Sequence, residues 1–389
     1  MALGLYISVP FCRTKCTYCN FASDVFSKAV FQRYIDRVSQ DLAQAAAIAE
    51  QMGGALERTV DSIYLGGGTP TVLEIKQLEQ LFVTVSQNFS LTADAEVTVE
   101  CAPGTLSQPV IEGLVSCGVN RVSLGVQSFV DPEAAAVGRV HKKEVVVREI
   151  SALRAAGIEN IGVDLIAGLP HQTEESWEIS LQQTIDSGVP HVSVYMLEID
   201  QDSRLGRELI AGGTRYHAHS VPDEDLTADL YGIACDALHG ASIQQYEISN
   251  FAQEGRQSRH NLKYWTRQPY FGFGVDAHSM LLADEGAVRF STPDSLEDYV
   301  AGKALQKTVV DQASALEEGF FLGLRLSRGV DLNQLIAEFG GDAVADRSSV
   351  LSELCDLELI ERDGNIVRLT PRGRLLSNEV FERFLARVA

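Results

Sequence analysis

Through its first half the chain alternates short apolar runs with longer stretches of helical spacing. Runs at residues 5–9, 63–65, 96–99, 121–126, 161–166 and 191–197 have the length and composition of buried strands. Between them, residues 31–52, 73–88, 106–117, 143–156 and 174–187 are long and periodic enough to be helices. Six strands alternating with helices imply right-handed βαβ units and a parallel sheet, whose functional edge lies at the C-terminal strand ends. Past residue 200 the alternation fades. The polar stretch 201–225 predicts a surface loop and a short helix, and His217 and His219, two residues apart, share no helix face and are expected in solvent. From residue 308 a compact tail follows, with helices near 316–326, 332–339 and 344–357. It then has a hairpin turning at Asp363-Gly364-Asn365 and a last helix over 372–388.

A chain of 389 residues exceeds one ordinary hydrophobic core, so a second domain is expected. The composition, 45% hydrophobic and 22% charged, is that of a soluble globular protein. Helices plus a short hairpin predict a winged-helix-like tail, but a formal charge of −21 with no basic stripe argues against nucleic-acid binding. The chain shows no signal peptide, no apolar run that spans a bilayer and no amphipathic basic helix. The expected setting is therefore the cytoplasm, without direct membrane insertion.

Candidate chemistry begins just after the first strand. Cys12, Cys16 and Cys19 form a C-x₃-C-x₂-C run that brings three thiolates to one loop, a donor set for a soft metal centre. A closed zinc site wants four ligands and no second pair follows, while the other four cysteines, Cys101, Cys117, Cys235 and Cys355, are too scattered for a disulfide framework. If the centre is a four-iron cluster, three thiolates leave one iron open, as in catalytic rather than structural sites. Directly after the second strand comes Gly66-Gly67-Gly68-Thr69-Pro70, where consecutive glycines allow close backbone approach to a ligand. The run lacks the Lys-Ser/Thr of a phosphate loop and the spacing of a dinucleotide loop. Further polar residues fall at the same edge: Glu100 after strand three, Gln127 after strand four, Arg139 beyond it, and Asp164 within strand five.

The cysteine loop followed by Gly-Gly-Gly-Thr-Pro resembles the radical S-adenosylmethionine superfamily. The segments Thr-Val-Glu-Cys-Ala-Pro-Gly, Gly-Val-Gln-Ser-Phe and Val-Asp-Leu-Ile-Ala-Gly-Leu-Pro resemble its oxygen-independent coproporphyrinogen III oxidase-like family. The resemblance implies an α/β fold: a partial, open (β/α)₆ barrel over 1–230, a connecting region over 231–305, and a C-terminal winged-helix-like α+β domain over 306–389. It implies a 4Fe-4S cluster on Cys12, Cys16 and Cys19. It also implies S-adenosylmethionine at Tyr6, Tyr18, Gly67, Gly68, Thr69, Glu100, Gln127, Arg139 and Asp164. In that family the open iron binds the methionine moiety, and the reduced cluster cleaves the sulfonium to a 5′-deoxyadenosyl radical.

Two details separate the branches of the family. The decarboxylating enzymes carry a fourth cysteine two residues after the third, where this chain has Asn20-Phe21. The haem chaperone branch carries His-Asn-x-x-Tyr-Trp, matched by His260, Asn261, Tyr264 and Trp265. The resemblance thus implies a haem chaperone, with His260 touching haem, a haem-accepting apoprotein and a reductant protein as partners, and a monomer or homodimer. Packing of that motif in the core is the competing reading. Decarboxylation of coproporphyrinogen III to protoporphyrinogen IX is the alternative activity, and a module keeping its cluster for structure alone is a third. Ser8, Cys101 and Asp276 depart from the family pattern, and the departure at Asp276 makes His278 a structural residue in this reading. Substituting Cys19→Ser is expected to abolish the cluster absorption near roughly 400 nm after anaerobic reconstitution. An unchanged spectrum would remove Cys19 from the site.

Overall fold

The computed structural model describes residues 1–385. All six predicted strands form: β1 Leu3–Val9, β2 Thr59–Gly67, β3 Ser90–Cys101, β4 Arg121–Gln127, β5 Asn160–Ala167 and β6 His191–Met196. They lie side by side in chain order and pair in parallel throughout. Covered on the outside by helices, β1, β4 and β5 are buried along nearly their whole length, which is why they read as apolar runs rather than strict alternation.

The sheet continues at both ends. Beyond β6 come β8 Asn250–Ala252 and β7 Gln244–Glu247, and beyond β1 come β9 Tyr270–Phe273, β10 His278–Leu282, β11 Ala287–Ser291 and β12 Gln306–Val310. The twelve strands form one open sheet that does not close on itself. Residues 231–305 therefore contribute strands to the barrel sheet, and residue 230 falls inside the helix Glu224–Gly240. These short strands were missed by pattern because none is an apolar run of strand length flanked by helices.

The predicted helix over 31–52 is two helices, Phe31–Ala43 and Ala45–Met52. The Gln44 N–H is shared between the carbonyls of Gln40 and Asp41 at 3.0 and 3.1 Å, which tightens the turn and breaks the regular ladder. The stretch 344–357 likewise splits into Gly341–Ala345 and Ser348–Asp356. The last helix is seen as Pro371–Leu375 and Ser377–Glu382, and its expected end lies outside the described residues.

The tail has its own core of Leu316, Phe320, Leu335, Leu354, Val367 and Phe384, with Phe320 and Phe384 stacked at 4.7 Å. Its small sheet is β13 Val330–Asp331, β14 Ile360–Asp363 and β15 Ile366–Leu369, in the order β13-β15-β14, packed on helices as in a winged helix. It docks through a backbone bridge in which Ile248 N–H donates to Arg325 and Ser327 N–H donates to Tyr246. The Arg325 guanidinium lies 4.2 Å over the Trp265 ring and 3.3 Å from the fully buried Glu247 carboxylate. Arg267 adds a second clasp, to Glu338 at 2.9 Å and over the Phe339 ring.

Arg325 thus serves an ion pair and a cation–π contact while leaving a buried acid behind if removed. Arg325→Ala is expected to cost about 2 kcal/mol, read as a lowered urea midpoint, and to speed proteolysis between the two cores. Arg325→Lys should recover only part of this, because an ammonium cannot stack as a guanidinium does.

Candidate functional site

The loop leaving β1 is fixed by backbone bonds before any ligand is considered. Cys12 N–H donates to Asp24 at 3.0 Å, Asp24 N–H to Pro10 at 3.0 Å, Thr17 N–H to Val137 at 3.2 Å, and Cys19 N–H back to Cys16 at 3.4 Å. All three thiols are free. Thr69 Oγ1 sits 3.9 Å from Cys12 Sγ and Ser23 Oγ 4.0 Å from Cys19 Sγ. Burial pushes the Cys12 and Cys19 thiols up, and their mutual repulsion with Cys16 adds to it.

Among the described residues no three His, Cys, Asp or Glu side chains converge as ligands of one metal ion. A cubane cluster needs no such convergence, since each thiolate takes a different iron. The Arg139 guanidinium lies within electrostatic reach of Cys12 and Cys16, and its Nε is buried without a partner. Three thiols crowded in one fixed loop beside a buried cation are a donor set that fits an anionic iron–sulfur cluster.

The glycine segment closes against this loop. Gly68 N–H donates to Val9 at 2.8 Å and Thr69 N–H to Phe11 at 2.8 Å. A methyl on Gly68 would lie 2.7 Å from both the Val9 and Phe11 carbonyl oxygens, and Gly67 has φ +96°, so both positions demand glycine. Glu100 accepts from Tyr64 Oη at 2.7 Å and from Gly67 N–H at 3.2 Å. Burial, reinforced by the Asp164 charge, pushes its carboxyl up to about 7 despite those bonds. Asp164, held by Ser123 Oγ at 3.0 and 3.1 Å, is also pushed up by burial.

At the end of β4 a bulge between Gly125 and Gln127 puts Gln127 at φ +70°, a left-handed conformation unusual for a buried glutamine. The space beside Gly125, where a Cβ would stand, is approached by Gln127 Nε2 and Arg139 Nη2. Arg139 Nη2 also donates to Tyr18 Oη at 3.2 Å. The strand-end residues named from sequence therefore gather at one mouth, with Tyr64 and Ser123 as positioning partners that pattern alone could not single out.

The His-Asn-x-x-Tyr-Trp segment folds as the helix Arg259–Trp265, capped by Ser258, and packs on β2 inside the sheet's curve. His260 is fully buried: Nδ1 faces Ser62 Oγ at 3.1 Å and Nε2 faces Tyr264 Oη at 2.9 Å. Burial, with Lys263 nearby, lowers its pKa to about 3, so it is neutral. Both ring nitrogens thus face protein hydroxyls, and the imidazole sits inside the packing of the helix against β2. Trp265 lies under Arg325 at the domain junction, and Asn261 N–H is spent on the Ser258 cap at 3.3 Å. Of the four motif residues only Tyr264 lines a cleft. That cleft, about 320 Å³, is walled by Tyr6, Ser8, Phe21, Gly67, Tyr264, Tyr270, Val275, Asp276 and His278.

His278, read from sequence as structural, stands exposed in the cleft wall. Cys101 is a buried thiol donating to Val99 at 3.7 Å, with its pKa pushed far up by burial, and it takes no part in the site. His217 and His219 are exposed as expected, although His217 pairs with His171 at 2.9 Å.

Fold and site together define a radical S-adenosylmethionine protein. Residues 6–183 match the radical SAM superfamily and residues 310–376 the HemN C-terminal domain. The fold is that of coproporphyrinogen III oxidase (HemN) from Escherichia coli, with a TM-score of 0.83 over 98% of this chain and 90% of that one, at 22% identity. Within that class the chain belongs to the heme chaperone HemW family. It is 34% identical to the Bacillus subtilis heme chaperone HemW over 98% of both chains. To the Lactococcus lactis protein it is 33% identical over 98% of this chain and 96% of that one. The Escherichia coli heme chaperone HemW is 30% identical over 99% of this chain and 98% of its own.

Glu100 gives a pH test. Its folded pKa lies above the unfolded value, so the cost of holding it charged is fully present above about pH 7 and vanishes below the usual carboxylate range. Glu100→Gln is expected to stabilise the ligand-free protein at pH 8 by on the order of 1–3 kcal/mol and to have little effect at pH 4. Equal midpoints for the two proteins at pH 8 would show that Glu100 is not strained by burial.

Proposed function

We propose that this chain is a heme chaperone that binds haem, holds it beside a radical SAM centre and passes it to an apoprotein. Cys12, Cys16 and Cys19 hold the cluster. Tyr6, Tyr18, Gly67, Gly68, Thr69, Glu100, Gln127, Arg139 and Asp164 hold S-adenosylmethionine, whose sulfonium the reduced cluster supplies with an electron when both are bound. The observation that carries this reading is the direct hydrogen-bonding of the glycine segment to the cysteine loop, which aligns the backbone groups of 67–69 with the thiols. Glu100 and Asp164, half-buried at the strand ends, suit the ammonium and hydroxyl groups of that ligand, and Arg139 balances the negative charge of the cluster.

Haem occupies the cleft lined by Phe21, Tyr264 and Tyr270, which offer apolar faces for a porphyrin. His260, Asn261 and Trp265 serve it from behind, by fixing the helix that presents Tyr264. A reductant protein and a haem-accepting apoprotein are its partners, and it works as a monomer or homodimer. Among the described residues no helix is long and apolar enough to cross a membrane.

The reconstituted protein, given S-adenosylmethionine, reductant and coproporphyrinogen III under anaerobic conditions, is expected to leave the tetrapyrrole unchanged by mass spectrometry. It is also expected to bind ferric haem with a Soret shift. Loss of one or two carboxyl groups per molecule would replace this reading by that of the oxidase.

A further inference from the structure

We infer that His278 supplies the protein ligand to haem iron, an inference that rests on the haem-chaperone reading above. The chain has eight histidines, and of these His278 is the one that lines the cleft. His141, His191 and His260 are buried, while His171, His217, His219 and His239 are exposed elsewhere. His278 has a side chain 69% exposed and lines the same cleft as Tyr6, Tyr264 and Tyr270. A neutral imidazole with a free nitrogen is the usual axial donor to haem iron. The cavity falls within the range of small-molecule clefts, roughly 300–1,000 Å³. Phe21, 63% exposed at its rim, is a large apolar side chain without protein cover.

The segment that carries His278 is built to hold a ligand still. Asp276 N–H donates to Pro293 at 2.9 Å, Thr292 N–H to Ala277 at 3.0 Å, and Ala277 N–H to Thr292 Oγ1 at 2.8 Å, so the turn into β10 is fixed immediately before the histidine. Asp276 adopts φ +53°, a left-handed backbone conformation. Aspartate tolerates it, and in return its Oδ1 comes to 3.7 Å from His278 Nε2. A carboxylate beside a metal-binding imidazole orients the ring and strengthens it as a donor. Asp276 is thus a positioning residue for His278.

The test compares ferric and metal-free protoporphyrin IX binding to the reconstituted full-length protein and to His278→Ala, followed by absorption and EPR. The exposed position of His278 means that the variant should keep the wild-type circular dichroism and cluster absorption. We expect His278→Ala to weaken ferric haem binding by roughly tenfold or more and to lose the histidine-ligated spectrum. Affinity for the metal-free porphyrin should be unchanged, because the aromatic wall is intact, and added imidazole should restore the spectrum. Wild-type haem binding with an identical spectrum and affinity in His278→Ala overturns the ligand assignment alone. Failure of the wild-type protein to bind ferric haem at all overturns both this inference and the chaperone reading.

Discussion

The close approach of two backbones, the end of β2 and the loop leaving β1, is the constraint on which the site depends. Parallel pairing between the two strands runs to Val9 and Gly67 and continues as single bonds from Gly68 to Val9 and Thr69 to Phe11. Only glycine permits this, since a Cβ at residue 68 would press on two carbonyl oxygens at once. The same contact fixes Gly67 N–H on Glu100 and Thr69 Oγ1 near Cys12, so thiol loop, glycine run and acidic floor are set by one packing decision. The unpaired and strained features nearby, the left-handed Gln127 and the partnerless Arg139 Nε, are then local costs carried by a rigid parallel sheet.

Below this floor the helix Arg259–Trp265 closes the inner side of the sheet with charges that are paired because they are buried. Lys263, 1% exposed, meets Asp61 at 2.7 Å and the Ala2 carbonyl at 2.8 Å. Glu96 accepts from Arg121 at 3.3 Å and from the first helical N–H groups at Arg259 and His260, at 3.2 and 3.1 Å. Such pairs offset a desolvation cost that an unpaired ion could not bear, and they fix the register of the helix. His260 is locked among them. Its ring stacks on Tyr64 at 5.4 Å, and Tyr64 in turn holds Glu100, so the motif reaches the cofactor floor through packing.

The parallel core was legible because six doubly buried strands are written as apolar runs and their helices as amphipathic spacing. The cysteine and glycine motifs were legible because their chemistry needs fixed spacing along a single loop. The added strands β7–β12 were not, because strands of three to five residues carry too little pattern to separate from loops. His260 illustrates a different limit. A motif announces which residue types a fold retains, whereas the side on which a short helix presents each of them depends on Glu96, Asp61 and Ser62, far away in sequence. His278 reads as structural because Asp276 departs from the family pattern, and a histidine at the start of a strand has no periodicity that would mark it as lining a cleft.

Tyr6 on β1 and Gly67 at the end of β2 line the cleft that contains Tyr264 and His278. The glycine segment that donates to Glu100 therefore also forms part of the cleft wall. Tyr6 is packed against Tyr64 at 6.2 Å and His260 at 6.4 Å, with burial and the Glu100 charge both opposing ionisation of its phenol. A neutral, well-packed aromatic ring at this point offers an apolar face to the cleft. The glycine contact and the cleft are thus built from the same few residues, and a change at Tyr6 or Gly67 would be felt in both.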